Sequence, residues 1–337
     1  MASLAGDFPV LDYTKFKTDF QGFADALFTA ANKWGFFVLL GTGVNPDEMF
    51  DMSQQFFHLP LEEKASKLLN GQSIGYDGKS PTTWSAAEGM TFGTNPGGIL
   101  TTDHLPTWWD QARRQKIEAF KAQCYDLSVD LLSCFATQLG LDKDHFLHSH
   151  LHKEPGNNLK LIRYPPMREQ PGQGVPRLAE HTDWGSITFV FSKQAGLEIR
   201  DPNNEWRQVP VFDGGIVVNI GDALSLWTGK ALKSTMHRIT WENLPKDKDR
   251  YSIAYFINPN YDAVLNPKSL TPSLAPELNS NLTYRDYYQL RLRLTYAVQD
   301  DDKVKEVGED VDVSTLDVVR KLNVANSGVL ESHLIKA

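Results

Sequence analysis

Apolar residues in the first half of the chain recur mostly at helical spacing. Phe8-Pro9-Val10-Leu11-Asp12 reads as a short strand, Ala24 to Trp34 carries apolar residues at roughly helical intervals, and the unbroken run Phe36-Phe37-Val38-Leu39-Leu40 reads as a second strand. Asn45-Pro46 opens another helix. Leu59-Pro60 separates it from Leu61-Glu62-Glu63-Lys64, since proline has no N–H with which to continue a helical ladder. Residues 71 to 107, rich in Gly, Thr, Pro and Ser, have no clear period and are expected to form a long irregular segment that lines a site. Ile117, Phe120, Cys124, Leu127, Leu131 and Phe135 then recur at intervals of three and four, which predicts a long amphipathic helix backing a sheet.

From residue 158 the texture changes to short β-rich runs: Asn158–Tyr164, Ser186–Phe191, Gly196–Arg200, Glu205–Pro210, Ile216–Ile220, Ala223–Trp227, Thr235–Trp241 and Arg250–Phe256. Turn formers such as Asp201-Pro202-Asn203-Asn204 and Asp213-Gly214-Gly215 separate them. So many short strands in so little chain suggest a jelly roll or related double-sheet barrel. After Pro259 the chain turns irregular, and Tyr284 to Ala297 reads as a helix with Tyr287, Leu290, Leu294 and Ala297 on one face; Asp300-Asp301-Asp302 reads as a solvated loop. The expected fold class is α+β: a double-stranded β-helix (jelly-roll) core with N-terminal and C-terminal helices packed on one sheet. Residues 1–155 form a mostly helical region integral to the fold, and 156–337 hold the core, about 156–260, with a C-terminal helical extension.

At 337 residues the chain is long enough for one large domain or two ordinary ones, and no repeat or low-complexity linker divides it. Its 41% apolar and 23% charged residues are those of a soluble globular protein, and no stretch approaches a membrane span. Met1 to Asp7 shows neither a basic nor a long apolar segment, so a cytoplasmic location is expected. Cys124 and Cys134 lie within the predicted long helix, where small buried core residues are the simplest reading. A net charge of −8 spread along the chain argues against a nucleic-acid partner.

Chemistry enters with His181-Thr182-Asp183. Residues two apart on an extended segment point the same way, so both side chains can reach one ion, and His237 from a neighbouring strand would complete a face. Two imidazoles and a carboxylate on one face suit Fe(II) and leave positions open, as oxygenases require. An isolated His-x-Asp arises often by chance, the ordinary alternative being an exposed His and Asp at a strand start. The order of the remaining residues changes that balance. Arg250 follows His237 by thirteen positions, and Arg250 and Ser252 share one side of a strand. A guanidinium fork with a hydroxyl beside it suits the far carboxylate of a keto-diacid chelated to iron, and Tyr164 adds a further hydrogen bond. The histidine cluster His145, His148, His150 and His152 reads instead as a solvated helix end.

These residues resemble the isopenicillin N synthase-like branch of the 2-oxoglutarate/Fe(II) dioxygenases, from about Phe8 to about Ala297. In the first half the resemblance rests on Phe8 to Asp12, Trp34-Gly35-Phe36-Phe37-Val38, Phe56 to Lys64 and Gly75-Tyr76. In the second it rests on Leu161-Ile162-Arg163-Tyr164-Pro165-Pro166, His181 to Ser186, Gly196-Leu197-Glu198-Ile199, Val218-Asn219-Ile220-Gly221-Asp222, the His237 segment and Arg250 to Phe256. The texture is similar to the fungal thymine-hydroxylase type. Plant members carry Asn where this chain has Ile162, and the usual His-Gly of the N-terminal pattern is Thr42-Gly43 here.

The resemblance implies an oxidoreductase with Fe(II), 2-oxoglutarate and O2, which oxidises a small-molecule metabolite and releases succinate and CO2. Hydroxylation is the expected outcome, with desaturation, ring closure or epoxidation as alternatives. It also implies that Tyr76, Trp84, Trp184, Phe189, Leu197, Phe256 and Asn258 line the substrate pocket, although aromatic and aliphatic residues fill barrel cores in any case. Two rivals share the pattern: an iron oxidase like isopenicillin N synthase, which uses no 2-oxoglutarate, and a non-catalytic small-molecule binder on the same barrel.

Overall fold

The apolar run in the first half is a strand, and it lies inside an eight-stranded sheet to which both halves of the chain contribute. The computed structural model describes residues 6–70, 74–78, 87–93, 104–151, 156–166, 176–242, 244–266 and 282–297, apart from the side chains of 176 and 292–297. The strands are β1 (Val10–Asp12), β2 (Phe36–Leu40), β3 (Gly75–Gly78), β4 (Glu88–Phe92), β5 (Asn158–Tyr164), β6 (Pro176–His181), β7 (Ile187–Ser192), β8 (Leu197–Arg200), β9 (Trp206–Gln208), β10 (Ile216–Ile220), β11 (His237–Thr240) and β12 (Arg250–Ile257). The helices are α1 (Lys15–Thr18), α2 (Phe20–Lys33), α3 (Asp47–Phe57), α4 (Leu61–Lys64), α5 (Gln111–Gln138), α6 (Asp222–Trp227) and α7 (Tyr284–Ala297). One sheet runs β1-β2-β10-β7-β12-β5-β4-β3 and the other β6-β11-β8-β9.

The register divides the large sheet into two faces, because cross-strand partners and residues two apart point the same way. Phe37, Leu39, Val218, Phe189, Phe191, Ile253, Tyr255 and Leu161 point outward into the main core, against Phe23 and Leu27 of α2, Phe50 and Phe56 of α3, and Phe120, Leu127 and Leu131 of α5. Each fully buried side chain of this kind contributes about 1.5–3 kcal/mol, so the periodic face of α5 is what holds it to the sheet. Asp110 starts that helix by accepting from Arg113 N–H at 2.9 Å. On the inward face, Phe36 and Val38 pack against Ile199 and Val209 near the smaller sheet. A strand buried on both sides has no polar alternation to show, which is why β2 is an uninterrupted apolar run.

Three expectations change. Ala223–Trp227 is helical, within α6, and all of its side chains are buried; a short apolar run does not distinguish a buried strand from a buried helix. Residues 71 to 107 contain β3 and β4, which extend the large sheet beyond β5. Pro176–His181 is a strand that its proline and charges conceal; it lies at an edge of the smaller sheet, where a missing N–H is tolerated. Trp84, His152 and Asp300 to Asp302 lie outside the described residues. Both cysteines are free and buried. Among the described residues no helix is long and apolar enough to cross a membrane.

Candidate active site

Strand pairing brings the two histidines together. His181 ends β6 and His237 begins β11, and the two are Cα partners in the antiparallel ladder, with ring centroids 4.2 Å apart. The chain then leaves β6, so Asp183 sits on a loop rather than on the strand. Its Oδ1 lies 3.8 Å from His181 Nε2 and 3.7 Å from His237 Nε2. One ligand atom from each residue can be chosen so that all lie within 4.8 Å of one another, and among the described residues this is the one such group of three or more His, Cys, Asp or Glu.

The backs of the three side chains are occupied. His181 Nδ1 pairs with Ala179 O at 2.8 Å and His237 Nδ1 with Thr235 O at 3.2 Å, so each ring carries its proton there and turns the Nε2 lone pair toward Asp183. Asp183 Oδ2 accepts from Thr188 Oγ1 at 2.6 Å and from Asn219 Nδ2 at 2.8 Å, leaving Oδ1 facing the imidazoles. Partial burial, with His237 beside it, lowers the His181 pKa from its ordinary value, which favours the neutral ring. For Asp183 burial works in the opposite direction but is outweighed by His237, His181, Thr188 and Asn219, which hold the carboxyl below its ordinary range. Asp183 is 9% exposed, which rules out the alternative of an ordinary exposed Asp at a strand start.

The loop from Asp183 to Ser186 fits closely against its neighbours. A Cβ on Gly221 would fall 2.2 Å from Gly185 O, and one on Gly185 would fall 2.3 Å from Asn258 Oδ1, so both positions admit only glycine without movement. His150 fastens the end of this loop, with Nδ1 on Phe146 O at 2.6 Å, Nε2 on Ser186 Oγ at 2.7 Å, and its ring stacked on Trp227. This corrects the reading of the histidine cluster: His150 is buried and its pKa is pushed down to about 4 by burial, while His148 is exposed.

Arg250 begins β12, directly opposite Tyr164 of β5, with its guanidinium 5.3 Å from the Tyr164 ring. Its Nε donates to Ala195 O at 2.9 Å, and its buried Nη1 has no hydrogen-bond partner. Ser252 follows on the same face, opposite Ser192 and Ile162. Arg177, which sequence reading did not single out, places its guanidinium 5.4 Å from the same Tyr164 ring and 4.2 Å from Trp241.

The expected pocket residues scatter. Tyr76 and Phe189 belong to the main core on the outward face, Phe189 stacked on Tyr255, which corrects their assignment to a pocket. Asn258 is structural in its contacts: it donates to Gly156 O and accepts from Tyr284 Oη. Leu197 lines a hollow of about 20 Å³ beside Arg250 with Val190 and Val217. Phe256 is the partner of Thr188, the residue that holds Asp183, so it faces inward near the triad, and the partly buried Trp184 follows Asp183 directly. A cleft of about 850 Å³ between residues 40–47 and 211–215 contains none of the triad; the chemistry lies toward the other end of β2, β7 and β10. Thr188, Asn219 and His150 are the residues that sequence reading missed. A polar residue inside an apolar strand, as Asn219 is in Ile216–Ile220, was the available signal.

A family model described as the 2OG-Fe(II) oxygenase superfamily matches residues 156–259, and one described as non-haem dioxygenase in morphine synthesis N-terminal matches residues 8–109. The 2-oxoglutarate-dependent dioxygenase frbA of Dothideomycetidae sp. (strain 11243) is 30% identical, with the match covering 86% of this chain and 98% of the relative. The proline hydroxylase buaE of Petromyces alliaceus is 29% identical over 85% and 98%. Among solved structures, the full-length thymine hydroxylase of Neurospora crassa in complex with alpha-KG superposes with a TM-score of 0.74 at 27% identity, covering 86% of this chain and 96% of that one. The same protein with alpha-KG and thymine gives 0.73 at 26% identity, over 86% and 97%.

Proposed function

The chain belongs to the 2OG-Fe(II) oxygenase superfamily, and from that premise we propose that His181, Asp183 and His237 hold its iron and that Arg250, with Ser252 and Tyr164, holds the far carboxylate of 2-oxoglutarate. It is an oxidoreductase, a 2-oxoglutarate-dependent dioxygenase acting on a small molecule. The observation that carries the residue assignment is the convergence of two Nε2 atoms and one carboxylate oxygen whose remaining polar atoms are already bonded elsewhere. Such a donor set fits non-haem Fe(II) and leaves coordination positions open. Arg250 fits its proposed role for a related reason. A buried guanidinium with an unpartnered Nη1 is costly until an anion meets it, and a carboxylate meets it bidentately.

When bound, the iron and 2-oxoglutarate supply the oxidising power, with O2 consumed and succinate and CO2 released. The chain's own residues supply placement. The two backbone carbonyls behind the histidines fix which nitrogen is offered, Thr188 and Asn219 keep Asp183 turned so that one oxygen faces the imidazoles, and Val190, Val217 and Leu197 give Arg250 an apolar border. We place Phe256 and Trp184 at the border of the substrate. A largely apolar or heteroaromatic metabolite is supported by these side chains and by the thymine bound to the Neurospora crassa enzyme. A cytoplasmic location agrees with two free buried cysteines.

The test is succinate formation from 2-oxoglutarate by the purified chain with Fe(II), screened against candidate metabolites including pyrimidine bases, with products identified by mass. The wild type is expected to couple succinate to substrate oxidation, and Asp183→Ala to lose it. Because Asp183 is buried, this variant also strands the Thr188 and Asn219 donors and is expected to lose about 1–3 kcal/mol of stability, so its folding is checked alongside. Substrate-dependent O2 uptake without succinate would instead support an oxidase that needs no 2-oxoglutarate.

A further inference from the structure

Backbone hydrogen bonds zip the Asp183 loop to the start of α6: Asp222 N–H donates to Asp183 O at 2.7 Å, Gly221 N–H to Ser186 O at 2.9 Å, and Ala223 N–H to Gly185 O at 3.1 Å. The Asp222 carboxylate is fully buried, and nothing in the assignments above uses it. Burying a carboxylate is unfavourable unless charge and hydrogen bonds compensate it. Oδ2 accepts from Thr182 Oγ1 at 2.9 Å and from Tyr287 Oη at 3.0 Å and lies 3.2 Å from Arg291 Nη1, while Oδ1 accepts from Ser234 Oγ at 2.7 Å.

The origin of these partners is informative. Thr182 stands between two members of the triad, and Ser234 precedes the third by three residues. Tyr287 and Arg291 lie one turn apart on α7, and the Arg291 guanidinium also sits 5.3 Å from the ring of Trp184. Two segments that each carry metal ligands are therefore tied to the two oxygens of one rigid group, and α7 is tied to the same group. Neither segment can shift against the other without breaking a buried hydrogen bond to a charged acceptor.

We infer that Asp222 is the positioning residue of the metal centre: its carboxylate sets the spacing between the His181–Asp183 segment and the His237 strand, and the docked C-terminal helix is part of that setting through Tyr287 and Arg291. The inference rests on the triad being the iron site. It follows that deleting one hydroxyl on α7, from a residue that is not a ligand, loosens the triad.

Co(II) is a suitable probe, since its visible absorption reports ligand geometry as well as occupancy. Asp222→Asn, Ser234→Ala and Tyr287→Phe are titrated with Co(II) beside the wild type, and the thermal unfolding of each metal-free protein is recorded in parallel. Each variant is expected to bind Co(II) about threefold to tenfold more weakly, at or below the usual effect of outer-shell partners, with an altered spectrum. Tyr287→Phe and Ser234→Ala remove single hydroxyls and decide the matter if Asp222→Asn does not fold. Variants that melt earlier yet keep wild-type Co(II) affinity and spectrum would show a merely structural role and overturn the inference. A wild type that takes up no Co(II) would overturn the metal assignment itself.

Discussion

Arg250 spends one donor on Ala195 O and keeps Nη1 unpaired in a buried setting, so its contribution is made only when an anion arrives. If Arg250 holds the far carboxylate of 2-oxoglutarate as proposed, Arg250→Gln removes one charge-assisted, bidentate contact, worth about 1.5–3 kcal/mol. The apparent affinity for 2-oxoglutarate is then expected to fall by roughly one to two orders of magnitude, with Fe(II) binding retained. Arg250→Lys is expected to recover only part of the loss, because an ammonium keeps the charge but not the planar fork. Titrating 2-oxoglutarate against the three proteins checks this; unchanged affinity in Arg250→Gln would remove Arg250 from the anchor. At the same scale, Asp183 shows what residue type leaves open. His-x-Asp suggests a ligand, but which carboxylate oxygen faces the two imidazoles depends on Thr188 and Asn219, from two other strands.

The element that matters most to the site is the short loop from Asp183 to Ser186, held by Gly185, Gly221, the start of α6 and His150. His150 offers a way to measure that hold. Its folded pKa is pushed down to about 4 from an ordinary 6.5, so the unfolded chain binds the extra proton first as pH falls. The stability it contributes is therefore complete above about pH 6.5 and lost as pH falls toward 4. A shift of that size corresponds to a few kcal/mol, roughly. The stability gap between metal-free wild type and His150→Gln is expected to shrink steadily from pH 7 to pH 5. His181 titrates in the same direction but is common to both proteins, so the comparison isolates His150. A gap that does not change with pH would mean that His150 is not held neutral in the fold.

For the molecule as a whole, β2 joins the two halves of the chain. It pairs with β1 on one side and β10 on the other, sending Phe37 and Leu39 into the main core and Phe36 and Val38 toward the smaller sheet. We propose accordingly that the N-terminal 155 residues are integral to the catalytic fold. Removing residues 1–40 uncovers the edge of β10 and takes apolar side chains from both faces, and the shortened chain is expected to aggregate rather than fold. Size-exclusion chromatography and circular dichroism test this. A monomer that unfolds cooperatively and still binds Fe(II) would contradict it.

Periodicity alone determined the long helix and the strands with strong apolar texture, because a side chain's burial on its own helix or strand is written in local spacing; the candidate ligands came from the spacing of His181, Asp183, His237 and Arg250. Ordered matches from Phe8 to Ala297 carried the resemblance from which the cofactors followed. Local spacing could not say that Ala223–Trp227 coils, that Pro176–His181 pairs with β11, or that Tyr76 and Phe189 face the helices instead of the site. Those outcomes depend on which face of a strand meets which neighbour, and a single strand does not carry that information. The same holds for Asn219, Thr188, His150 and Asp222. Each is an ordinary polar residue until tertiary structure buries it, and burial then compels it to find the partners that hold the metal ligands in place.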